Sequence, residues 1–352
     1  METKKSLLSD MVIMRVIAVV FLITFHALAP FNHSWIRFNG FIEIPVYQYL
    51  ADFVYVIFLA VFVFISGYIF AYQVYQRGRV YTFGKLVGSK AKRLILPAIL
   101  FGIVYIALFW ENISFNFKLF ESIVSGVGHL WFMPMLFWCF IFGWLIDKIK
   151  INEWLKIAGL YLLTFLAALP DHFGLVDATR WLVYFYVGMQ VSKHKDAVMN
   201  WLNYPKSISL LCIFLFVFVF CESTYPVLDK LGENNKFWLG VYYFVKRTGV
   251  FMMSLSVCMG LFGVLNTSKS SKNTPPQPEL HNVPQWLLLL NDNSMGIYIF
   301  QQFVLMILYY KTDLPLYIGP YLLPWVGIIV TLLISLALSV LLRKTKIGRS
   351  II

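Results

Sequence analysis

Charged residues are scarce in this sequence. They make up 13% of its 352 residues, whereas hydrophobic residues make up 60%. A soluble domain typically carries about 25% charged residues. The composition therefore excludes an ordinary soluble protein and indicates an integral membrane protein whose apolar side chains face lipid.

Cysteine is also scarce, and its spacing fits no metal site. The four cysteines are at positions 139, 212, 221 and 258, each alone in or at the edge of an apolar segment. Structural zinc sites use closely spaced pairs of ligands, so we predict no metal site. The sequence also lacks a clear internal repeat, which argues against a transporter built from inverted repeats.

Long apolar segments dominate what is present. A membrane-spanning helix needs roughly 20 mostly apolar residues. Ten such windows lie near 11–30, 46–72, 94–112, 130–147, 154–170, 178–192, 207–222, 238–266, 285–310 and 316–342. We predict an all-α polytopic membrane protein of about ten transmembrane helices, with residues 1–352 in one membrane-embedded domain and no soluble domain.

Three segments need separate description: the first apolar segment, a basic segment and a polar segment. The first apolar segment ends in a signal-peptidase-like Ala27-Leu28-Ala29, but it is long and contains Arg15, so we expect it to stay uncleaved. The basic segment 72–91 is expected to be a loop. Segment 268–284 is rich in Pro, Ser and Asn, which predicts a flexible cytoplasmic linker.

The net charge of +12 reflects membrane topology. Of the 29 Lys and Arg residues, 20 fall in alternate segments on the side of the N-terminus and 6 in the opposite segments. This asymmetry follows the positive-inside rule and predicts that both termini are cytoplasmic. We therefore expect a multi-pass protein of the cell (inner) membrane and no nucleic-acid partner.

Arg15 and His26 are polar residues inside the first helix. At 100° per residue, their separation of eleven positions places both on one helix face, about 16 Å apart along the axis. Alone, Arg15 could snorkel to lipid headgroups and His26 could satisfy a buried hydrogen bond. Their placement on one helix face favours a functional site, since a charge inside a membrane is costly.

Other polar residues mark further candidate positions. Asp52, in the second helix, is expected at the depth of the first-helix histidine, where it either orients the imidazole or faces interfacial water. His129 and Trp131 stand at the outer mouth of the fourth helix, although a Trp there also fits the interfacial aromatic belt. Gln301 lies inside the ninth helix, and residues 292–294 suggest a helix N-cap.

Five short motifs occur in order along the chain. They are Arg15 and His26 preceded by Asp10, FVFISGYIF around Ser66, KAKRLILPAI, GHLWFMPML and NSMGIYIFQQ. Together, from residue 10 to about 302, they resemble acyltransferase family 3, the integral-membrane acyltransferases that modify surface carbohydrates. Two departures stand out. Members often have a histidine where this sequence has Gln301, and a glutamine side chain cannot titrate. Many members also carry a C-terminal hydrolase-like domain. This sequence ends at Ile352 and resembles the stand-alone, ten-helix branch.

The resemblance implies an enzyme that moves an acyl group, usually acetyl, from acyl-coenzyme A to a hydroxyl of a cell-surface or lipid-linked sugar. Acyl-coenzyme A would be a co-substrate, with no permanently bound cofactor. His26 would be the general base, Arg15 would position the donor and Asp52 would orient His26. An acyl-histidine intermediate stays open.

The remaining roles follow from the same resemblance. The substrate-binding candidates are His129, Trp131, Ser66 and Gln301. The candidates for binding the phosphates of coenzyme A are Arg77, Lys90, Lys92 and Arg93. Expected partners are acyl-coenzyme A, a carbohydrate acceptor and the lipid bilayer. A homo-oligomer and association with polysaccharide-assembly proteins are both compatible with the sequence.

Two other functions use the same residues. A polysaccharide or lipid-linked sugar exporter or flippase could use the intramembrane His, Asp and Arg as a proton relay. A non-catalytic subunit of a polysaccharide synthase is the third reading. The enzyme is favoured because the intramembrane charges cluster at the two ends of one helix face and leave the midplane of the other helices nearly bare.

Overall fold

The computed structural model describes residues 8–111, 113–233, 235–267 and 283–351. Within these ranges all regular secondary structure is helical, which confirms the all-α class. Of the predicted linker 268–284, residues 268–282 lie outside the described part of the chain.

Sixteen α-helices follow one another along the described chain. They are α1 Ser9–Leu28, α2 Pro45–Ala71, α3 Phe83–Lys90, α4 Leu96–Phe109, α5 Phe117–Ser125, α6 Phe132–Asp147, α7 Glu153–Leu163, α8 Leu175–Lys193, α9 Lys195–Trp201, α10 Tyr204–Gly232, α11 Lys236–Thr267, α12 Gln285–Asp292, α13 Ser294–Tyr310, α14 Leu314–Ile318, α15 Leu323–Lys344 and α16 Lys346–Ile351.

Seven continuous helical segments among the described residues are long and apolar enough to cross a membrane. They are Ser9–Leu28, Pro45–Gln76, Phe83–Phe109, Gly128–Asp147, Tyr204–Gly232, Lys236–Thr267 and Leu323–Lys344. The chain is therefore a multi-pass membrane protein. The count of ten and the cytoplasmic location of both termini stay predictions.

The other three predicted windows explain the difference in number. Window 154–170 corresponds to α7 and the short 3₁₀ helix Thr164–Ala168, and window 178–192 corresponds to α8. Window 285–310 is not one helix, because the chain breaks at Asn293 between α12 and α13. Its apolar part, α13, has 17 residues, which is short for an untilted span.

The basic segment 72–91 is largely helical, so the expectation of a loop was wrong. A π-helical turn, Tyr72–Gln76, extends α2, and α3 begins after Thr82, whose hydroxyl accepts a hydrogen bond from Lys85 N. A second π turn, Ala91–Ile95, joins α3 to α4, with Leu96 N–H donating to Ala91 O. Pro97 lacks the N–H that would continue the α-helical pattern, which accounts for this wider turn.

The break at Asn293 differs from the predicted N-cap. The Asn293 side chain makes no capping hydrogen bond to α13. Its amide nitrogen instead donates to Leu289 O at 2.9 Å, and its oxygen accepts from Ser339 Oγ of α15 at 2.9 Å. These two bonds hold the end of α12 and the start of α13 against α15.

Helices α2 and α8 cross at a very short distance through two glycines. A Cβ atom on Gly188 would lie 2.2 Å from Phe64 O, and one on Gly67 would lie 1.9 Å from Phe185 O. No side chain fits at such distances, so the crossing requires glycine on both helices. This contact fixes the helix that carries Ser66 and lines the candidate site.

Replacing Gly188 with Ala should therefore destabilise the protein. The added methyl group must push α2 and α8 apart, and overpacking of this kind costs roughly 1–3 kcal/mol. We expect a lower Tm and a smaller monodisperse fraction in detergent. Gly159→Ala in α7 is the matched control, because a Cβ there meets nothing within 4 Å. Equal Tm values for the two variants would contradict this packing.

Candidate functional site

The face of α1 that carries Arg15 and His26 is turned into the helix bundle. Helix α1 packs against α2, α12, α13 and α15. His26 is 8% exposed, and its ring lies near Phe58 of α2. Arg15 is half-buried at the other end of the helix and donates a hydrogen bond to Asn291 Oδ1 at 3.1 Å. Neither predicted residue is turned out into lipid.

His26 and His129 form a pair in the half of the bundle that contains the C-terminal end of α1. Their ring centroids are 6.2 Å apart, with the rings edge to face. His129 lies in a 3₁₀ turn, Gly128–Trp131, that directly precedes α6. The structure thus brings together the predicted base and one of the predicted substrate-binding residues.

Helix α13 fixes His129 in place through both backbone and side chain. The His129 N–H donates to Gln302 Oε1 at 2.8 Å, and the Tyr298 hydroxyl donates to His129 O. His129 Nε2 lies 2.9 Å from Ile299 O. A carbonyl only accepts, so Nε2 carries the hydrogen and Nδ1 of the neutral ring has a free lone pair.

Several buried polar atoms around this pair make no hydrogen bond of standard geometry in the described structure. They are Nδ1 of His26, Nδ1 of His129 and both amide atoms of Gln301. Gln301 is fully buried and lies beside His26. Each unsatisfied buried group costs about 1–3 kcal/mol. Such a cluster marks a place where a polar ligand or water is expected.

Trp35, in the loop between α1 and α2, covers His26. Its ring is stacked on the His26 imidazole, with centroids 5.6 Å apart and the planes at 25°. The loop folds back to the end of α1 through a bond from Trp35 N to Ala29 O of 3.1 Å. Sequence reasoning missed Trp35 and selected Trp131, whose ring packs instead on Phe132.

Asp52 is not brought to His26. Its carboxylate accepts a hydrogen bond from Asn32 Nδ2 at 3.0 Å. Phe58, six residues further along α2, is the residue at the level of the His26 ring. Asp52 therefore lies about 9 Å along α2 from the level of His26, at 1.5 Å per residue, whereas the sequence predicted equal depth.

The end of the bundle at which α1 begins and α15 ends contains a cavity of about 690 Å³, which we call the basic cavity. Its cationic lining residues are Arg15, Arg77, Lys92, Arg93, Arg343 and Arg349. Three of the four predicted phosphate-binding residues are among them. Asp292 is the single acidic side chain among the described lining residues.

A second cavity of about 320 Å³, the aromatic cavity, adjoins the first. The two share Arg15 and Arg93 in their walls. The fourth predicted phosphate-binding residue, Lys90, lines this deeper cavity, with Nζ 3.5 Å from the centroid of the Phe140 ring. Ser66, a predicted substrate-binding residue, also lines this cavity. So does Arg79, which sequence reasoning did not select.

An aromatic partition separates the deeper cavity from the histidines. The aromatic cavity ends on Phe132 and Tyr298, and the Tyr298 ring lies 5.2 Å from the His129 ring. Neither His26 nor His129 is among the described residues that line the two cavities. Phe132 and Tyr298 therefore stand between the cavities and the histidine pair.

The charges of the two cavities are strongly unbalanced. In the described part of the chain, no Asp or Glu lines the aromatic cavity, while Arg15, Arg79, Lys90 and Arg93 do. Clustered cations repel one another, and Arg15 and Lys90 are in addition partly buried, which costs solvation. An anionic ligand would relieve both costs, so the arrangement suits a molecule with several negative charges.

Over residues 9–344 the chain matches the model of the family described as an acyltransferase domain. No curated protein and no solved structure matches it.

Proposed function

Because the chain belongs to acyltransferase family 3, we propose that it is a membrane O-acyltransferase that uses acyl-coenzyme A as its donor and a sugar hydroxyl as its acceptor. The acyl group is acetyl in the simplest form of this proposal. The acceptor is a cell-surface or lipid-linked carbohydrate, and the protein acts in the cell (inner) membrane.

One observation carries this proposal. Two adjoining cavities run from a group of cations at the end of the bundle predicted to be cytoplasmic, past Arg15, to the aromatic partition next to the histidine pair. The phosphates of coenzyme A would lie among the cations, and the pantetheine arm would extend along the aromatic cavity. Rotation of Phe132 or Tyr298 would then admit the thioester to His26 and His129.

The histidine pair would supply the proton transfers. His26 takes the proton of the sugar hydroxyl while the hydroxyl oxygen attacks the thioester carbonyl carbon. The carbon–sulfur bond then breaks, and the departing sulfur takes the proton back from the imidazolium. The products are the sugar ester and free coenzyme A, so no metal or redox partner is needed to balance the step.

The other buried groups would position the reactants. His129 Nδ1 has a lone pair that can accept a hydrogen bond from the acceptor hydroxyl, and the Gln301 amide can donate to the carbonyl oxygen. Trp35 offers a flat ring at the outer side of His26, against which a sugar can stack. Arg15, held by Asn291, would hold the donor at the junction of the cavities.

The experiment is acyl transfer by the purified protein in proteoliposomes. Acetyl-coenzyme A with a labelled acetyl group is supplied at the cytoplasmic face, and extracted surface or lipid-linked glycans are examined by mass spectrometry. We expect saturable coenzyme A binding by the purified protein. Glycans from cells that contain the protein should be heavier by one acyl group than glycans from cells that lack it. Glycan flux coupled to pH, without coenzyme A binding, would instead identify an exporter. Loss of polymer with neither binding nor flux would identify a synthase subunit.

A further inference from the structure

The C-terminal segment 343–351 forms part of the wall of the basic cavity. Arg343, Arg349 and Ile351 line it, together with residues of α1, α2 and the turn between α3 and α4. Helix α16 contacts both α15 and the π turn Ala91–Ile95. This segment comprises the end of α15 and the short helix α16, and it contains none of the motifs that point to the family.

Backbone carbonyl groups hold the two arginines of this segment. Arg349 Nε donates to Arg343 O at 3.0 Å, and its Nη2 donates to Lys344 O at 3.3 Å. Arg343 Nη1 donates to Asp292 O at 2.6 Å. Carbonyl acceptors fix the guanidinium groups but do not neutralise their charge, so both remain able to bind an anion.

A hydrogen-bonded chain joins this segment to Arg15. Arg15 donates to Asn291 Oδ1, and Asn291 Nδ2 donates to Asp292 Oδ1 at 3.0 Å. The carbonyl of Asp292 then accepts from Arg343. The end of α12 thus holds cations of α1 and of the C-terminal segment in one fixed arrangement.

The direction of the donor decides which phosphate each group of cations can reach. If the thioester points towards the histidine pair, the nucleotide end of coenzyme A lies at the opposite, cytoplasmic end of the basic cavity. The diphosphate, between pantetheine and ribose, falls near Arg15 and Arg93, which both cavities share. The remaining phosphate, on the 3′ position of the ribose, then falls near the wall of the basic cavity that the C-terminal segment forms.

We propose that Arg343 and Arg349 bind the 3′-phosphate of coenzyme A, so that the C-terminal segment makes the protein select coenzyme A over its 3′-dephospho form. This inference rests on the proposed function, because it assumes a coenzyme A donor. It assigns a ligand to two cations that lie outside the family motifs.

Binding of the two coenzyme forms to the purified full-length protein tests the inference. Isothermal titration should show that the wild-type protein binds coenzyme A about 10- to 100-fold more tightly than 3′-dephospho-coenzyme A, since a hydrogen-bonded charged contact is worth that much. Arg349→Ala should weaken coenzyme A binding by about 10-fold or more and leave the Kd of the dephospho form unchanged. Arg349→Lys should retain part of the selectivity.

Lys346→Ala is the matched control, because Lys346 is an exposed cation of the same short helix and is not among the cavity-lining residues. It should leave both Kd values unchanged. Equal binding of the two forms by the wild-type protein would overturn the inference, as would an equal loss for both forms in Arg349→Ala. Either result leaves the proposed donor intact, whereas a wild-type protein that binds neither form would contradict the proposed function itself.

Discussion

Replacing His26 with Gln should lower the rate of acyl transfer by about 10²- to 10⁴-fold, the usual contribution of a general base. Glutamine keeps a polar side chain of similar reach but cannot accept and return a proton. Donor binding should change little, since His26 is not among the residues that line the two cavities. The loss should therefore appear in kcat for labelled acetyl transfer, with the Kd for coenzyme A preserved.

His194→Gln provides the matched control for this measurement. His194 is exposed at the end of α8, away from the histidine pair, so the same substitution should leave kcat unchanged. An unchanged kcat in correctly inserted His26→Gln would remove His26 from the mechanism. A loss in His129→Gln alone would transfer the role of base to His129, whose Nδ1 also has a lone pair.

Replacing Arg15 with Gln should weaken coenzyme A binding by about 10- to 100-fold, because a hydrogen bond to a charged group contributes roughly 1.5–3 kcal/mol. Arg15 lies where the two cavities meet and is held by Asn291, so its charge should face the diphosphate. Equilibrium binding of coenzyme A to the purified protein measures the effect. Arg15→Lys should restore part of the affinity, since it restores the charge but not the planar, two-pronged geometry.

Arg37→Gln is the control for Arg15. Arg37 lies in the loop between α1 and α2, where it pairs with Glu43, and it lines neither cavity, so its removal should leave the Kd for coenzyme A unchanged. An unaltered Kd in Arg15→Gln would contradict the placement of the donor along α1. A loss of equal size in Arg37→Gln would indicate a general charge effect and would contradict a specific site.

The sequence was sufficient where the inference stayed within one helix. The common face of Arg15 and His26 follows from the helical repeat alone, and the structure buries both in the bundle. The all-α class could also be predicted from single segments, because an apolar segment of about 20 residues in lipid leaves the backbone little alternative to a helix.

Relations between helices could not be obtained by counting residues. The equal depth of Asp52 and His26 assumed that α1 and α2 turn at matching positions, but the loop between them folds back over the end of α1. The division at Asn293 is also tertiary, because Ser339, 46 residues away, holds its side chain. The roles of Trp35 and Tyr298 depend on similar packing. Tyr298 belongs to the motif NSMGIYIFQQ, but the motif does not predict its hydrogen bond to His129 O. No local pattern marks Trp35.

The stacking of Trp35 on His26 bears on how fast water would hydrolyse the thioester of the proposed donor. A thioester held beside an activating base is open to attack by water as well as by a sugar. The indole ring shields one face of the imidazole. In the proposed mechanism the acceptor sugar stacks on this ring, so an enzyme of this design would lose little thioester to hydrolysis until the carbohydrate is present. Transfer of the acyl group would then stay tied to consumption of coenzyme A thioester.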